Sequence, residues 1–170
     1  MAQGGGVLVL GDPGPRDIIN ALTAPKGVSL DGFLLFVPGP HGGDFDVDNF
    51  ASHPAVHGVS AYATNWGGSL QVSSPAVPLA FTGSQVYGDL DGEFDQDPGE
   101  PTGPFTVAAA CELGPAGLIR MAVLGDNPFQ DDCLEQRNNA PLARALLRWL
   151  TAAREASPWR AYLPVTMRKR

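Results

Sequence analysis

Short apolar runs separated by turn residues fill the first two thirds of the chain. The run VLVL at 7–10 is apolar at every position, which is typical of a strand buried on both faces of a parallel sheet. GFLLFV at 32–37 is either a second strand or a buried edge segment. SAYATNW at 60–66 and PLAFTGSQVY at 78–87 are further predicted strands, rich in aromatic and small residues.

The clearest pattern lies near the C-terminal end. FTVAAACE at 105–112 and LIRMAVLG at 118–125 flank the Gly- and Pro-containing segment LGPAG at 113–117. Two apolar runs joined by a short turn of this kind predict a β-hairpin.

Two helices are predicted from apolar residues at three- and four-residue spacing. Residues 16–22 predict a short helix with Ile18, Ile19 and Leu22 facing inward. A longer amphipathic helix follows the hairpin, with Asn138 or Asn139 as its cap and Pro141 in its first turn. Its predicted buried face consists of Leu142, Ala145, Leu146, Trp149, Leu150 and Ala153.

Composition bounds the kind of protein. The 170 residues predict a single domain, 1–170, with a real core, because 44% are hydrophobic and 17% charged. The 21 Gly and 16 Pro residues predict long loops. No apolar run approaches the roughly 20 residues of a membrane span, and no signal peptide is recognisable, so a cytoplasmic location is the default expectation. With only two cysteines, Cys111 and Cys133, a disulfide framework is excluded, and both are expected to be reduced.

Charge is spread unevenly around the formal net charge of −7. Residues 1–118 hold 13 acidic and 2 basic side chains, whereas residues 119–170 hold 5 acidic and 9 basic ones. The acidic part argues against nucleic acid as a partner. The final MRKR at 167–170 is either a contact for a phosphate surface or a solvated terminus, and the second reading is favoured.

Two acidic stretches are candidate metal sites. Asp44, Asp46 and Asp48 alternate, so in an extended chain they face one way, but the residues that follow do not fit a calcium loop. The second stretch, the acidic loop at 88–104, is predicted to be exposed. Within it Asp89, Asp91 and Asp95, with Gly92, match four positions of an EF-hand-type loop, although its first and last positions do not match. These three aspartates are a weak candidate for calcium, and a solvated loop is the alternative.

No complete catalytic motif is present. His53 and His57 form an HxxxH pair and His41 precedes them, but Pro54 and Gly58 disfavour the helix that would align the pair on zinc. A turn carrying polar side chains is the favoured reading. No nucleophile elbow is found either, since the turn after 7–10 carries Asp12 and prolines instead of Ser or Cys.

Several segments in order resemble a known family. These are GGGVLVLGD, HPAVHGV followed by NWGGSL, the acidic loop running into FTVAAA, and GLIRMAVLGDNPFQDD followed by NNAPLARALLRWL. The arrangement resembles the class I glutamine amidotransferase-like domains. It is most similar to their non-catalytic branch in uncharacterised bacterial proteins, in gliding-motility-type transporter auxiliary subunits and in the GIFT domain of intraflagellar transport.

The resemblance implies an α/β fold. We expect a three-layer open sheet of flavodoxin/Rossmann-like type, mostly parallel, with an antiparallel C-terminal hairpin. It also implies that segments preceding the first strand are missing, so that an uncovered central strand at 7–10 would need a partner. The elbow lacks the Cys of true amidotransferases, and none of the histidines or glutamates matches their partner residues.

The predicted strand ends suggest where a ligand would bind. In an open α/β sheet the carboxyl ends of strands border a crevice, which makes Asp12, Asp126 and Asn127 crevice candidates. The favoured alternative is that Asp126 binds backbone amides of its own loop.

The expected function follows from a family pattern without its nucleophile. It is a non-catalytic binding or scaffolding domain that contacts a protein or a saccharide, or forms a homo-oligomer. The rival is a hydrolase that uses Asp12, Asp126 and the nearby histidines, either as carboxylates or with a metal.

Overall fold

Strands make up most of the ordered elements of this chain. The computed structural model describes residues 5–11, 16–39, 42–114, 117–130, 133–135 and 139–152. The elements in chain order are β1 (Gly5–Leu10), α1 (Arg16–Thr23), β2 (Val28–Phe36), β3 (Asp46–Val47), β4 (Asn49–Phe50), β5 (Tyr62–Ala63), β6 (Gly68–Val72), β7 (Val77–Phe81), β8 (Tyr87–Asp89), β9 (Thr106–Leu113), β10 (Ile119–Leu124) and α2 (Asn139–Ala152). Short 3₁₀ turns at Ala24–Lys26 and Pro54–Val56 complete the set.

Three sheets are formed from these strands. The largest has the order β1-β10-β9-β7-β4, and only its β1–β10 pair is parallel. A second sheet, β6-β2-β8, is antiparallel throughout, and β3 pairs antiparallel with β5.

The five-stranded sheet is covered on both faces. One face packs on α2, whose Leu142, Leu146 and Trp149 join a core cluster with Ala110 and Ala122. The other face packs on the second sheet and on α1, in a cluster that joins residues of β1, β9 and β10 to Val28, Leu30 and Leu70, with Ile19 against it. Burial from both sides explains why β9 and β10 are apolar at nearly every position although they run antiparallel.

The predicted fold class is therefore wrong. The molecule is mostly β with mixed and antiparallel sheets, and it is not a mostly parallel three-layer flavodoxin/Rossmann-like fold. The resemblance to class I glutamine amidotransferase-like domains, which implied that parallel sheet, is wrong as well. An apolar run reports burial on both faces, and here a second sheet provides one of the two covers that helices provide in a parallel α/β fold.

The first strand lies at an edge of its sheet. β1 pairs with β10 on one side and is the terminal strand in the order, so its prediction as a central strand is wrong. Val7 is accordingly 44% exposed. On α1 Ile19 packs against the core as predicted, whereas Ile18 and Leu22 are exposed, so the predicted inward orientation of these two is wrong. A run of four apolar residues predicts a strand but does not predict whether that strand is central or at an edge of its sheet.

The two C-terminal predictions are confirmed. β9 and β10 pair antiparallel from Leu113 with Ile119 to Ala108 with Leu124, as the hairpin prediction requires. α2 buries Leu142, Leu146, Trp149 and Leu150 of its predicted apolar face, whereas Ala145 is half-buried and Ala153 lies outside the described residues. Asn139 begins the helix, but its buried side chain does something that the capping prediction missed. It accepts a hydrogen bond from the N–H of Ala63 at 2.8 Å and donates to the carbonyls of Ala63 and Pro128.

Candidate functional site

Asp126 follows β10 directly and is only 4% exposed. Its Oδ1 accepts the N–H of Asn127 at 2.5 Å, and its Oδ2 accepts the N–H of Asn65 at 2.6 Å, from a loop 61 residues earlier in the chain. The carboxylate therefore binds an amide of its own loop, as the turn alternative expects, and also joins two distant loops. Burial and the nearby charge of Asp126 raise the pKa of Tyr62 far above its ordinary value, so the phenol stays protonated.

Glycines close the space around this aspartate. The N–H of Gly68 donates to the carbonyl of Gly125 at 2.7 Å, and a Cβ on Gly125 would lie 1.9 Å from the oxygen of Gly68. A Cβ on Gly67 would lie 2.9 Å from the Cβ of Asp126, and one on Gly11 would lie 2.7 Å from Gly125. Backbone therefore packs on backbone here, because no side chain fits. We call Gly11, Gly67, Gly68, Gly125 and Asp126 the glycine junction.

The predicted crevice residues are thus only partly visible. Asp12 lies outside the described residues, Asp126 is buried in the glycine junction, and Asn127 is half-buried beside it with its side-chain oxygen 3.4 Å from the N–H of Phe129. Their role in a ligand crevice stays a prediction.

Trp66 follows Asn65 but is 41% exposed. Its φ of 58° lies in the left-handed region, which bulky side chains rarely adopt. The backbone N–H of Trp66 donates to the carbonyl of Gly43 at 3.0 Å. Its indole covers Gly43 so closely that a Cβ on this glycine would lie 3.0 Å from the ring. The indole ring also meets Phe36 edge to face, with ring centroids 5.3 Å apart.

Phe94 is a second exposed aromatic residue in left-handed backbone. It lies in the acidic loop with a φ of 68° and an exposed fraction of 50%. Its N–H donates to Oδ2 of Asp89 at 3.2 Å, and its carbonyl accepts the hydroxyl of Tyr87 at 2.8 Å. These two bonds hold the loop so that the phenyl ring contacts Trp66 and Phe36, at centroid distances of 5.3 and 5.4 Å.

These rings form one wall of a small cavity. Its volume is about 290 Å³, and we call it the aromatic pocket; its lining is Phe36, Gly39, Gly42, Gly43, Asp44, Trp66 and Phe94. Among the described residues, Trp66 and Phe94 are the only non-glycine positions with positive φ. Each such conformation costs about 1–3 kcal/mol and concentrates at ligand-contacting positions. The strain and the exposure coincide on two rings that touch, which marks the pocket as the candidate site.

No sequence pattern marks Trp66 or Phe94 as a site residue. NWGG was noted only as part of a family pattern, and Phe94 only as part of an acidic loop. A usable signal was present, because a single aromatic residue among acidic ones has no core to enter unless the loop folds back. Asp44 was considered only with Asp46 and Asp48. These three are exposed and alternate with buried Phe45 and Val47, which confirms that they face one way.

The acidic loop is tied together by its own carboxylates. Oδ1 of buried Asp89 accepts the N–H of Gly92 at 2.7 Å, and Glu100 accepts the N–H groups of Leu90 and Asp97 at 2.8 and 3.1 Å. The charges of Asp91 and Asp97 raise the pKa of Glu93 above its ordinary value, a sign of crowded negative charge.

The candidate calcium ligands are partly brought together. Within the described residues, ligand oxygens of Asp89, Asp91 and Glu100 lie within 4.8 Å of one another, and so do those of Asp91, Glu93 and Asp97. Asp95 belongs to neither group, and Glu100 was missed because it lies outside the loop template. Calcium at Asp89, Asp91 and Asp95 and the alternative of a solvated loop without an ion both stay untested.

His53 and His57 line a surface groove beside α2. Nδ1 of His53 accepts the N–H of Ala55 at 3.1 Å at the start of the 3₁₀ turn Pro54–Val56, so the pair flanks a turn and does not share a helix face. The ring of His53 stacks edge-on against Trp149 at 5.3 Å, and burial lowers its pKa. Neither carboxylate group able to hold a metal in the described part of the chain includes His53, His57 or Asp126. His41 lies outside the described residues.

The guanidinium of Arg120 stacks on the other aromatic residue of this region, Trp149. The Arg120 side chain lies 5.3 Å above its ring, donates to Oε1 of Glu112 at 3.1 Å and to the carbonyl of Trp149 at 2.6 Å. A cavity of about 500 Å³ adjoins this group. The described part of the chain therefore shows an arginine held between an indole ring and a carboxylate.

Comparison with known proteins leaves the fold as the main finding. No family model matches the chain, and no curated protein sequence matches it. Its fold is similar to that of the mmIFT52 N-terminal domain. That structure superimposes with a TM-score of 0.66 at 21% sequence identity, over 87% of this chain and 65% of the other.

The likeness is one of fold, and the chain spans about two thirds of that domain's chain. Together with the largely antiparallel sheets, it replaces the resemblance to glutamine amidotransferase-like domains, for which no support is found. No helix in the described part of the chain is long and apolar enough to cross a membrane.

Proposed function

We propose that this chain is a non-catalytic binding domain that holds a protein partner at the aromatic pocket. The observation that carries the proposal is the pair Trp66 and Phe94, two touching, exposed rings held in strained backbone. Exposed aromatic residues are enriched at protein interfaces and supply much of their binding energy. Two strained backbone positions that expose their rings to water do not stabilise the fold. Contact with a bound partner is therefore the simplest reason for this arrangement.

The charge around the pocket favours a basic partner. Asp44 lines the pocket, and the acidic loop that carries Phe94 also presents Asp91, Glu93, Asp95 and Asp97 to solvent. A negative surface of this kind attracts a basic segment and speeds its association. Leu90, 61% exposed in the same loop, extends the apolar contact beyond the pocket.

The rival hydrolase is not favoured by the geometry of the described residues. It requires Asp126 to face substrate, yet both carboxylate oxygens accept backbone N–H groups in the glycine junction. A general base must reach the proton it removes, and a buried carboxylate already engaged on both oxygens is poorly placed for that.

NMR titration tests the proposal. The indole N–H of Trp66, identified by its loss in Trp66→Phe, is followed while three probes are added: a peptide of alternating arginine and leucine, its glutamate counterpart, and a neutral glucose oligosaccharide. We expect the arginine–leucine peptide alone to shift this signal. In titration calorimetry, which does not depend on the Trp66 signal, Trp66→Ala and Phe94→Ala should each weaken binding by about 30-fold, as expected for interface positions worth about 2 kcal/mol.

Leu147→Ala provides the matched control, since Leu147 is 52% exposed on α2 and does not line the pocket. It should bind the peptide like the parent. A shift caused by the oligosaccharide and not by the peptide would replace the protein partner by a saccharide. Absence of any shift, or turnover of glutamine or a simple ester that Asp126→Asn abolishes, would overturn the proposal.

A further inference from the structure

We propose that the aromatic pocket receives a single arginine side chain of the partner, packed against the rings of Trp66 and Phe94 and hydrogen-bonded to Asp44. This inference rests on the proposed function and names the chemical group that the site recognises. Three features support it: the size of the pocket, the packing of its rings and its charge.

The size of the pocket fits one side chain. Its volume of about 290 Å³ lies at the lower end of the range for small-molecule sites. Gly39, Gly42 and Gly43 are among its lining residues. Three of the seven lining residues therefore have no side chain to occupy the cavity, which leaves it open to one side chain of a partner.

The rings offer their outer surfaces and not a gap between them. Phe36, Trp66 and Phe94 lie 5.3–5.4 Å apart in edge-to-face contact, so no ligand atom enters between them. A compact ammonium group enclosed by several rings therefore does not suit this site. A flat guanidinium that stacks on an exposed ring does, and arginine forms such contacts more often than lysine.

The charge is supplied by Asp44. It is exposed, it is the charged residue of the lining, and it makes no ion pair within the described part of the chain. A carboxylate accepts two parallel N–H bonds from a guanidinium, which a lysine cannot provide. Within the described residues the indole N–H of Trp66 likewise makes no hydrogen bond, so the pocket has unused polar capacity beside its rings.

The same chain already uses this arrangement once. At α2 the Arg120 guanidinium stacks over Trp149 and bonds the Glu112 carboxylate. The aromatic pocket likewise contains an indole, Trp66, and a carboxylate, Asp44. It has no arginine among its described lining residues. The third member is the group we assign to the partner.

The test compares peptides that differ at one side chain. The arginine–leucine peptide is shortened to one central arginine between neutral residues, and that arginine is replaced by citrulline, lysine or glutamate. Citrulline keeps the planar shape and loses the charge. With the full chain, we expect the arginine peptide to shift the Trp66 indole signal, the lysine peptide to bind several-fold more weakly, and citrulline to lose about tenfold in affinity.

Asp44→Asn should weaken the arginine peptide by about fivefold, while Asp48→Asn, which removes an equal exposed charge from the same surface, should not. Equal melting temperatures for the two variants establish that both fold. If citrulline binds as tightly as arginine, or if both aspartate variants behave alike, the assignment of arginine is wrong. In that case a loss of peptide binding in Trp66→Ala, measured by titration calorimetry, would still uphold the proposed function, whereas unchanged binding in this variant would overturn both.

Discussion

The glycine junction and the aromatic pocket share one stretch of chain, residues 65–68, and use it in opposite ways. Asn65, Gly67 and Gly68 turn toward the junction, where the carboxylate of Asp126 and the backbone of Gly125 are buried and hydrogen-bonded. Trp66, between them, faces the pocket with its ring exposed and its backbone strained.

The contrast shows which polar or aromatic groups are available to a ligand. Asp126 has the position expected of a crevice residue at a strand end, but its oxygens are occupied by the fold itself. Trp66 and Phe94 were not selected by their pattern, but their exposed area is not used by the core. Availability depends on what the fold has already satisfied, and this differs between adjacent residues.

The largest effect on stability is expected when one methyl group is added inside the glycine junction. In Gly125→Ala the Cβ would meet the carbonyl of Gly68 at 1.9 Å, and the hydrogen bond from Gly68 to Gly125 would have to open. We expect a loss of about 2–4 kcal/mol in the free energy of unfolding, measured by urea denaturation.

Gly32→Ala serves as the control, because a Cβ at Gly32 in β2 meets nothing within 4 Å. Its stability should stay within about 0.5 kcal/mol of the parent. If Gly125→Ala is equally harmless, the junction is not closely packed and Asp126 regains its place as a crevice candidate.

An intermediate effect on stability is expected at Asp89, whose carboxylate accepts the backbone N–H of Phe94 in the pocket wall. Asp89→Asn replaces one of the oxygens that accept the N–H groups of Gly92 and Phe94, in a position that is 5% exposed. The variant should lose about 1–3 kcal/mol in thermal or urea unfolding, since a buried N–H loses its acceptor.

Melting temperatures with and without calcium show whether Asp89 also binds an ion. Each carboxylate oxygen of Asp89 and Glu100 already accepts one backbone N–H group, which reduces its capacity to bind an ion, so millimolar calcium is expected to leave the melting temperature of the parent unchanged. A rise that disappears in Asp89→Asn would instead establish a calcium site in the acidic loop.

A smaller effect on stability is expected where the backbone is strained. Phe94→Gly loses the contacts of the phenyl ring but relieves a φ of 68°, so the net change should stay within about 1 kcal/mol while peptide binding is lost. Phe33→Gly is the comparison, since Phe33 packs against the core at 5.8 Å from Phe105 without positive φ. It should cost about 3 kcal/mol or more. Similar costs for the two would mean that Phe94 belongs to the core.

The smallest effect is expected at His53, which lies outside both regions. Burial against Trp149 lowers its pKa in the folded state, so the folded chain binds this proton less readily than the unfolded chain. Its contribution is complete above the ordinary value of about 6.5 and is lost as the pH falls below it. Melting temperatures should therefore decline slightly less between pH 7 and pH 5 in His53→Asn than in the parent and in His57→Asn. A parallel decline in all three would contradict this.

Local patterns in the sequence were sufficient wherever neighbouring residues make the structure. The hairpin β9–β10, the helix α2 and the alternation of Asp44, Asp46 and Asp48 with buried apolar residues follow from spacing and turn residues alone. Each depends on contacts within one element or between two consecutive elements, for which period and turn chemistry carry the information.

Tertiary structure decided everything that depends on which distant elements meet. It placed β1 at an edge, covered β9 and β10 with a second sheet, and brought Asn65 to Asp126 and Phe94 to Trp66. An apolar run shows that a strand is covered but not by what, and a carboxylate or a ring shows its chemistry but not whether the fold has already used it. Long-range packing determines both, because each buried polar group takes the partner that the fold brings to it.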